Sequence, residues 1–163
     1  MNRLLSTGTV MLAFALGASC NGDDNTGPDP EDDFEATLTG AAERPTPVTT
    51  SATGTASVTL DDQAQTITFT VNVTNLTSPT LAHIHTGGPQ EAGPPVVNLL
   101  LTAPPAGTFN GQLASGTRGT TDITGGETYT SLAAKIRAGN AYINVHTVAF
   151  PNGEIRGQLV ADD

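Results

Sequence analysis

From residue 66 to residue 74 the chain alternates without a break. Ile67, Phe69, Val71 and Val73 stand between Thr66, Thr68, Thr70, Asn72 and Thr74. A period of two marks a strand with one face in a core and the other in water. Ala56, Val58 and Leu60 alternate in the same way with Thr55, Ser57 and Thr59. Asp61-Asp62-Gln63 between the two runs predicts a turn, and hence a hairpin. Shorter runs at 34–39, 81–85, 96–101, 109–114, 141–148 and 154–160 predict further strands. Clusters at Gly87-Gly88-Pro89, Gly93-Pro94-Pro95 and Pro104-Pro105 separate them as loops. One segment departs from the pattern. Residues 129–138 read YTSLAAKIRA and are followed by Gly139, which predicts a short helix with a glycine just past its end. Strands without regular intervening helices imply an all-β protein, an antiparallel, Greek-key-like sandwich or barrel. No internal repeat is evident.

The first 19 residues break the alternation altogether. Arg3 precedes an apolar run, Val10-Met11-Leu12-Ala13-Phe14-Ala15-Leu16, and small residues Gly17, Ala18 and Ser19 lead to Cys20. The run is short for a transmembrane helix and has the layout of an export signal. Cys20 is the single cysteine of the chain, so no internal disulfide can form and no thiolate zinc site is available. Its position after the small residues is similar to that in bacterial lipoprotein signals, where the cysteine becomes the lipidated first residue. The usual leucine three positions earlier is here Gly17, with Leu16 one further back. Lipidation at Cys20 would hold the protein on a membrane surface without spanning it. The alternative is ordinary cleavage and a free thiol, a liability in an exported protein.

Residues 20–33 then form an acidic tether, and 34–161 the folded domain. The whole chain of 163 residues carries 16 acidic and 6 basic side chains, a net charge of −10. Seven of the acids lie between Asn21 and Glu35, without a base among them. Such a stretch repels itself and offers too little apolar surface to order it. The remainder holds nine acids and five bases outside the signal, an ordinary balance for a soluble surface. The deficit of Lys and Arg excludes nucleic acid as a partner. Asn72-Val73-Thr74 and Asn75-Leu76-Thr77 fit the glycosylation pattern, but are expected to be only Thr-rich strand and turn.

The candidate chemistry rests on three histidines. His83 and His85 flank Ile84 on one predicted strand, and residues two apart on a strand share a face about 6.6 Å apart. On a second predicted strand Ile143 and Val145 take the core face, leaving Tyr142, Asn144 and His146 on the other. If the two strands are neighbours, His83, His85 and His146 can converge on one ion, and three imidazoles with an open position suit zinc or copper. The plainer alternative is a set of hydrogen-bonding histidines covered by loops. Glu154 and Arg156 also share a strand face. They are expected to form an exposed pair of little energetic weight, with Arg156 near the histidines as the other possibility.

Ala82-His83-Ile84-His85-Thr86-Gly87, the loop at Pro94-Pro95-Val96, Ala141-Tyr142-Ile143-Asn144-Val145-His146-Thr147 and Pro151-Asn152-Gly153-Glu154-Ile155-Arg156-Gly157-Gln158-Leu159 occur in this order. Together they resemble the CHRD domain, named from the animal protein chordin and common in exported bacterial proteins. The resemblance spans nearly all of 34–161 and implies a β-sandwich or barrel. It carries a fainter likeness to copper-zinc superoxide dismutase, in which a His-x-His strand and a later histidine bind copper on the outside of a barrel. That likeness implies metal ligands at His83, His85 and His146 with Arg156 near them, and the shared strand face adds Tyr142 and Asn144 as candidates for a supporting shell behind the ligands. The dismutase needs six histidines for two bridged metals, so its two-metal site does not carry over to a chain with three.

No Ser-His-Asp arrangement or characteristic carboxylate pair points to an enzyme. The expectation is a non-catalytic binding module, exported and lipid-anchored, with a protein or matrix partner outside the cytoplasm. The alternative is a protein that binds or handles copper or zinc at a single-metal site.

Overall fold

The computed structural model describes residues 32–104 and 106–162. The proposed signal, Cys20 and nearly all of the acidic tether lie outside the described residues. Nine strands follow in the order β1 (Asp33–Thr39), β2 (Thr53–Asp61), β3 (Thr66–Thr77), β4 (Pro79–Thr86), β5 (Pro95–Asn98), β6 (Thr108–Arg118), β7 (Ala141–Thr147), β8 (Ile155–Gln158) and β9 (Val160–Ala161). Among the described residues one α-helix, α1 (Tyr129–Arg137), lies between β6 and β7.

The strands form one antiparallel sheet in the order β5-β4-β7-β8-β1-β2-β3-β6, with β9 also on β1. Its two ends approach each other. Val97 on β5 bridges to Ile123 beyond β6, and Arg118 at the end of β6 donates to the carbonyls of Asn98 and Leu99. The sheet is thus curled into a nearly closed barrel, which protects most of its edge hydrogen-bonding groups.

The period-two runs form the wall of this barrel. Ile67, Phe69, Val71 and Val73 of β3 are buried inside, while Thr68 and Asn72 face out. Residue for residue, β3 pairs with β2 from Asp61↔Thr66 to Thr53↔Thr74. The turn between them is held by the Asp61 carboxylate, which accepts from the Ala64 amide at 2.8 Å. The run expected at 96–101 leaves the sheet after Asn98. Leu99 and Leu100 turn into the core instead, and the Leu99 amide donates to the Ala82 carbonyl.

Helix α1 closes one end of the barrel with Tyr129, Leu132, Ala133 and Ile136 buried. Thr128 caps its first turn by accepting from the Ser131 amide, and Gly139 ends it at φ 68°, a left-handed conformation that favours glycine. Arg137 at its last turn pairs with Asp32 and with Asp62. Among the described residues no helix is long and apolar enough to cross a membrane.

Strand β1 lies between β8 and β2 in the sheet. At its beginning Asp33 accepts from the Asp162 amide at 2.9 Å. At its end Thr39 stands opposite Arg156 of β8. Arg156 stands opposite Asn144 of β7, and Asn144 opposite His83 of β4. That row of residues crosses the outer face of the sheet at the end away from Asp33.

Candidate metal centre

Strand β7 is buried along its whole length. The alternation explains half of this, since Ala141, Ile143 and Val145 pack inside the barrel. Tyr142, Asn144 and His146 point outward as expected, yet loops cover them. One loop follows β4, one precedes β2 at residues 43–48, and one joins β7 to β8. Arg44 on the second loop donates to Gln90 on the first at 3.0 Å, so the covering segments hold one another.

Because β4 and β7 pair antiparallel, with Leu81↔His146 and His85↔Tyr142 in register, the three histidines meet on the outer face. Their ring centroids are 5.1 Å (His83 and His146), 5.6 Å (His83 and His85) and 5.9 Å (His85 and His146) apart. One nitrogen from each lies within 4.8 Å of the other two.

Hydrogen bonds decide which nitrogens face inward. His85 Nδ1 lies 2.9 Å from the carbonyl oxygen of Gly93, and His146 Nδ1 lies 3.1 Å from that of Pro151. A carbonyl only accepts, so each Nδ1 carries the proton and each Nε2 keeps a free lone pair. Nε2 of His85 is buried with no partner. Nε2 of His146 lies 3.2 Å from Nδ1 of His83. Two nitrogens bound at ~2.05 Å to one tetrahedral zinc ion stand about 3.3 Å apart. The His83 and His146 nitrogens thus stand at the spacing of two ligands of one ion, the buried, unpartnered Nε2 of His85 offers a third lone pair, and the carbonyl-bound Nδ1 atoms supply the outer support that metal-binding histidines characteristically have.

The electrostatics agree. Burial, with the neighbouring His146 and His85, pushes His83 down to about 4. Burial likewise lowers His85, opposed by its bond to Gly93, and lowers His146. All three rings are therefore neutral near pH 7, the form that binds a metal.

Arg156 fixes this arrangement from behind. It is 2% exposed, and its guanidinium lies 3.5 Å above the Tyr142 ring. It donates to the carbonyls of Gly88 at 2.8 Å and Glu91 at 2.7 Å, holding the loop that brings Gly93 to His85. Tyr142 stacks on His85 at 5.0 Å, and its hydroxyl accepts from the Gly93 amide at 3.0 Å. Gly93 has a steric reason to be glycine, because a Cβ there would collide with the Thr86 carbonyl oxygen.

The expected exposed pair of Glu154 and Arg156 is corrected. Both are buried. Glu154 instead accepts from Thr50 at 2.6 Å and Thr147 at 2.7 Å, while the Arg156 guanidinium donates to the covering loop and to Gln158. Burial favours such paired hydroxyls and carbonyls over a solvated ion pair.

Glu43 has no counterpart in the sequence reading. It is 3% exposed, and burial raises its carboxyl to about 7, with nearby Arg156 the main opposing influence. Its Oε2 accepts from Asn144 Nδ2 at 3.4 Å. Its Oε1 and Asn144 Oδ1 have no partner, and both crowd Gly153, which adopts φ 125°. A proton on Oε1 would let the carboxyl donate to Asn144 and relieve both oxygens. A glutamate in a Pro-rich loop carries no local sign of such burial.

No curated protein and no solved structure is matched by this chain. The family model of the CHRD domain, however, covers residues 34–159, which takes in every strand of the barrel down to β8 together with all three histidines. The chain belongs to the CHRD domain family.

Proposed function

We propose that this protein is an exported, non-catalytic binding module that holds one zinc or copper ion through His83, His85 and His146. The observation that carries the reading is the buried, unpartnered Nε2 of His85, turned toward the other two rings by its Nδ1 bond to Gly93. Three neutral imidazoles suit either metal. Cys20 serves as the lipid anchor and the acidic segment as the spacer, so the barrel works at a membrane surface toward an extracytoplasmic protein or matrix partner.

Metal analysis of the purified protein after exposure to zinc and to copper tests the centre. One equivalent is expected in the parent protein, with large losses in His83→Ala and His146→Ala. Failure to retain either metal would sink the reading. Superoxide turnover by the copper-loaded protein would replace the non-catalytic part with an enzyme. A Cys20→Ser variant that still partitions with membranes would count against the anchor.

A second reading is metal handling. It is favoured by the exposure of His83, which is greater than that of His85 or His146 and gives an ion a route out. Rapid transfer of the bound ion to a competing chelator would select it.

A further inference from the structure

We propose that the open side of the histidine cluster binds an aliphatic carboxylate, with its oxygen on the metal ion and its hydrocarbon stem on Leu81 and Val148. The inference rests on the metal reading above and names the ligand class of that site.

Three observations lead to it. The first is direction. Along the outer face of β4 exposure rises from His85 at 7%, through the half-buried His83, to Leu81 at 42%. Along β7 it rises from His146 at 7% to Val148, just past the strand, at 72%. Loops shut the other side, where Gly93, Tyr142 and Arg156 stand. A ligand therefore reaches the nitrogens past Leu81 and Val148.

The second is the character of that rim. Four large apolar side chains are exposed among the described residues, and Leu81 and Val148 are two of them. They lie on the paired chains of β4 and β7, on the side of the cluster away from His85. Leu81 stands opposite His146 in register, and the Val148 amide donates to Ser78 at the start of β4 at 3.1 Å. Single exposed aliphatics need no explanation, but a pair bordering a polar centre offers contact to an apolar ligand.

The third is charge. The cluster supplies three neutral nitrogens and no carboxylate. The charge standing behind it is positive, that of Arg156 over Tyr142. Glu43 is turned to Asn144. A divalent ion held by this set keeps its charge uncompensated in a poorly solvated site, which favours an anionic fourth ligand over a neutral one. A carboxylate on an apolar stem satisfies both the ion and the rim.

The test titrates the zinc-loaded and, separately, the copper(II)-loaded full-length protein with acetate, butanoate and hexanoate, following heat in both and the visible spectrum in the second. Affinity is expected to rise about two- to fourfold per added methylene until the rim is covered. Leu81→Ser with Val148→Ser should keep the acetate affinity and lose the increment. Equal binding of acetate and hexanoate, or an increment that survives the double substitution, overturns the proposal. Failure to take up zinc and copper alike overturns both this proposal and the metal reading, whereas metal uptake without carboxylate binding overturns this proposal alone. Comparing hexanoate with N-acetyl-leucine separates the two sources of such a group. Tighter binding of N-acetyl-leucine assigns the site to a polypeptide terminus, and tighter binding of hexanoate to a free acid.

Discussion

The Nδ1 of His85 donates to the carbonyl oxygen of Gly93 at 2.9 Å. This single bond sets the ring's tautomer and aims its other nitrogen at His83 and His146. The residue at 93 can do this only because it lacks a side chain, with the Thr86 carbonyl pressed against it. Gly93→Ala should displace the loop and release His85 while leaving the barrel folded. Zinc affinity measured by calorimetry is expected to fall about 10- to 100-fold, the usual cost of losing outer support to a metal ligand. Unchanged affinity would mean that the loop does not orient the ring.

Arg156 is a second support, and lysine should not replace it. A lysine can neither lie flat on Tyr142 nor reach two carbonyls with a planar fork. Arg156→Lys is expected to lower stability by about 2–4 kcal/mol, the scale of charge-assisted bonds lost in a buried site. Denaturant unfolding of the metal-free protein measures this. A loss below about 1 kcal/mol would place the side chain's role elsewhere.

Glu43 makes stability depend on pH in a specific direction. Its folded carboxyl titrates near 7, above the ordinary value of 4.5. The folded state therefore holds a proton that the unfolded state has lost between those values, and this contribution falls as pH rises through the window. Glu43→Gln keeps a donor for Asn144 without a titration. The variant should gain stability relative to the parent from pH 4.5 to 7 and hold a constant advantage above it. Thermal unfolding of both proteins across that range is the check. Parallel curves would show that Glu43 does not bury its proton.

His83 acts in the opposite sense. Its folded value near 4 lies below the ordinary 6.5, so the unfolded state binds more protons between the two and stability rises with pH there. For the same reason metal binding need displace no proton from His83 at pH 6. Because burial lowers all three imidazoles, zinc affinity should begin to fall at a lower pH than it does for exposed histidines, which lose affinity from about 6.5. Calorimetric titrations at several pH values distinguish the two curves.

The strands were legible because alternation is a local property. Ile67 to Val73 state their burial one residue at a time, and the β3 register follows. The convergence of the histidines was half legible. His83 and His85 declared a shared face, but the pairing of β4 with β7 joins segments some 60 residues apart and has no local sign. The supports were hidden for another reason. Gly93 and Pro151 act through backbone carbonyls, which every residue carries. Glu43, Glu154 and Arg156 look like surface charges in the sequence and become buried only because loops fold over the outer face of the sheet. The expectation of an exposed Glu154–Arg156 pair failed at that point.

Strand β1 has a practical corollary. The chain enters the barrel at Asp33, beside Asp162, and six residues later Thr39 lies level with Arg156 and the His83 row. Six steps of extended chain cover about 20 Å. Attachment through either end of the folded domain therefore leaves the histidine face turned toward the medium. A bead, a dye or a sensor surface joined before residue 33 or after residue 162 stands clear of the centre, so the barrel can be displayed on a support with its ion still reachable.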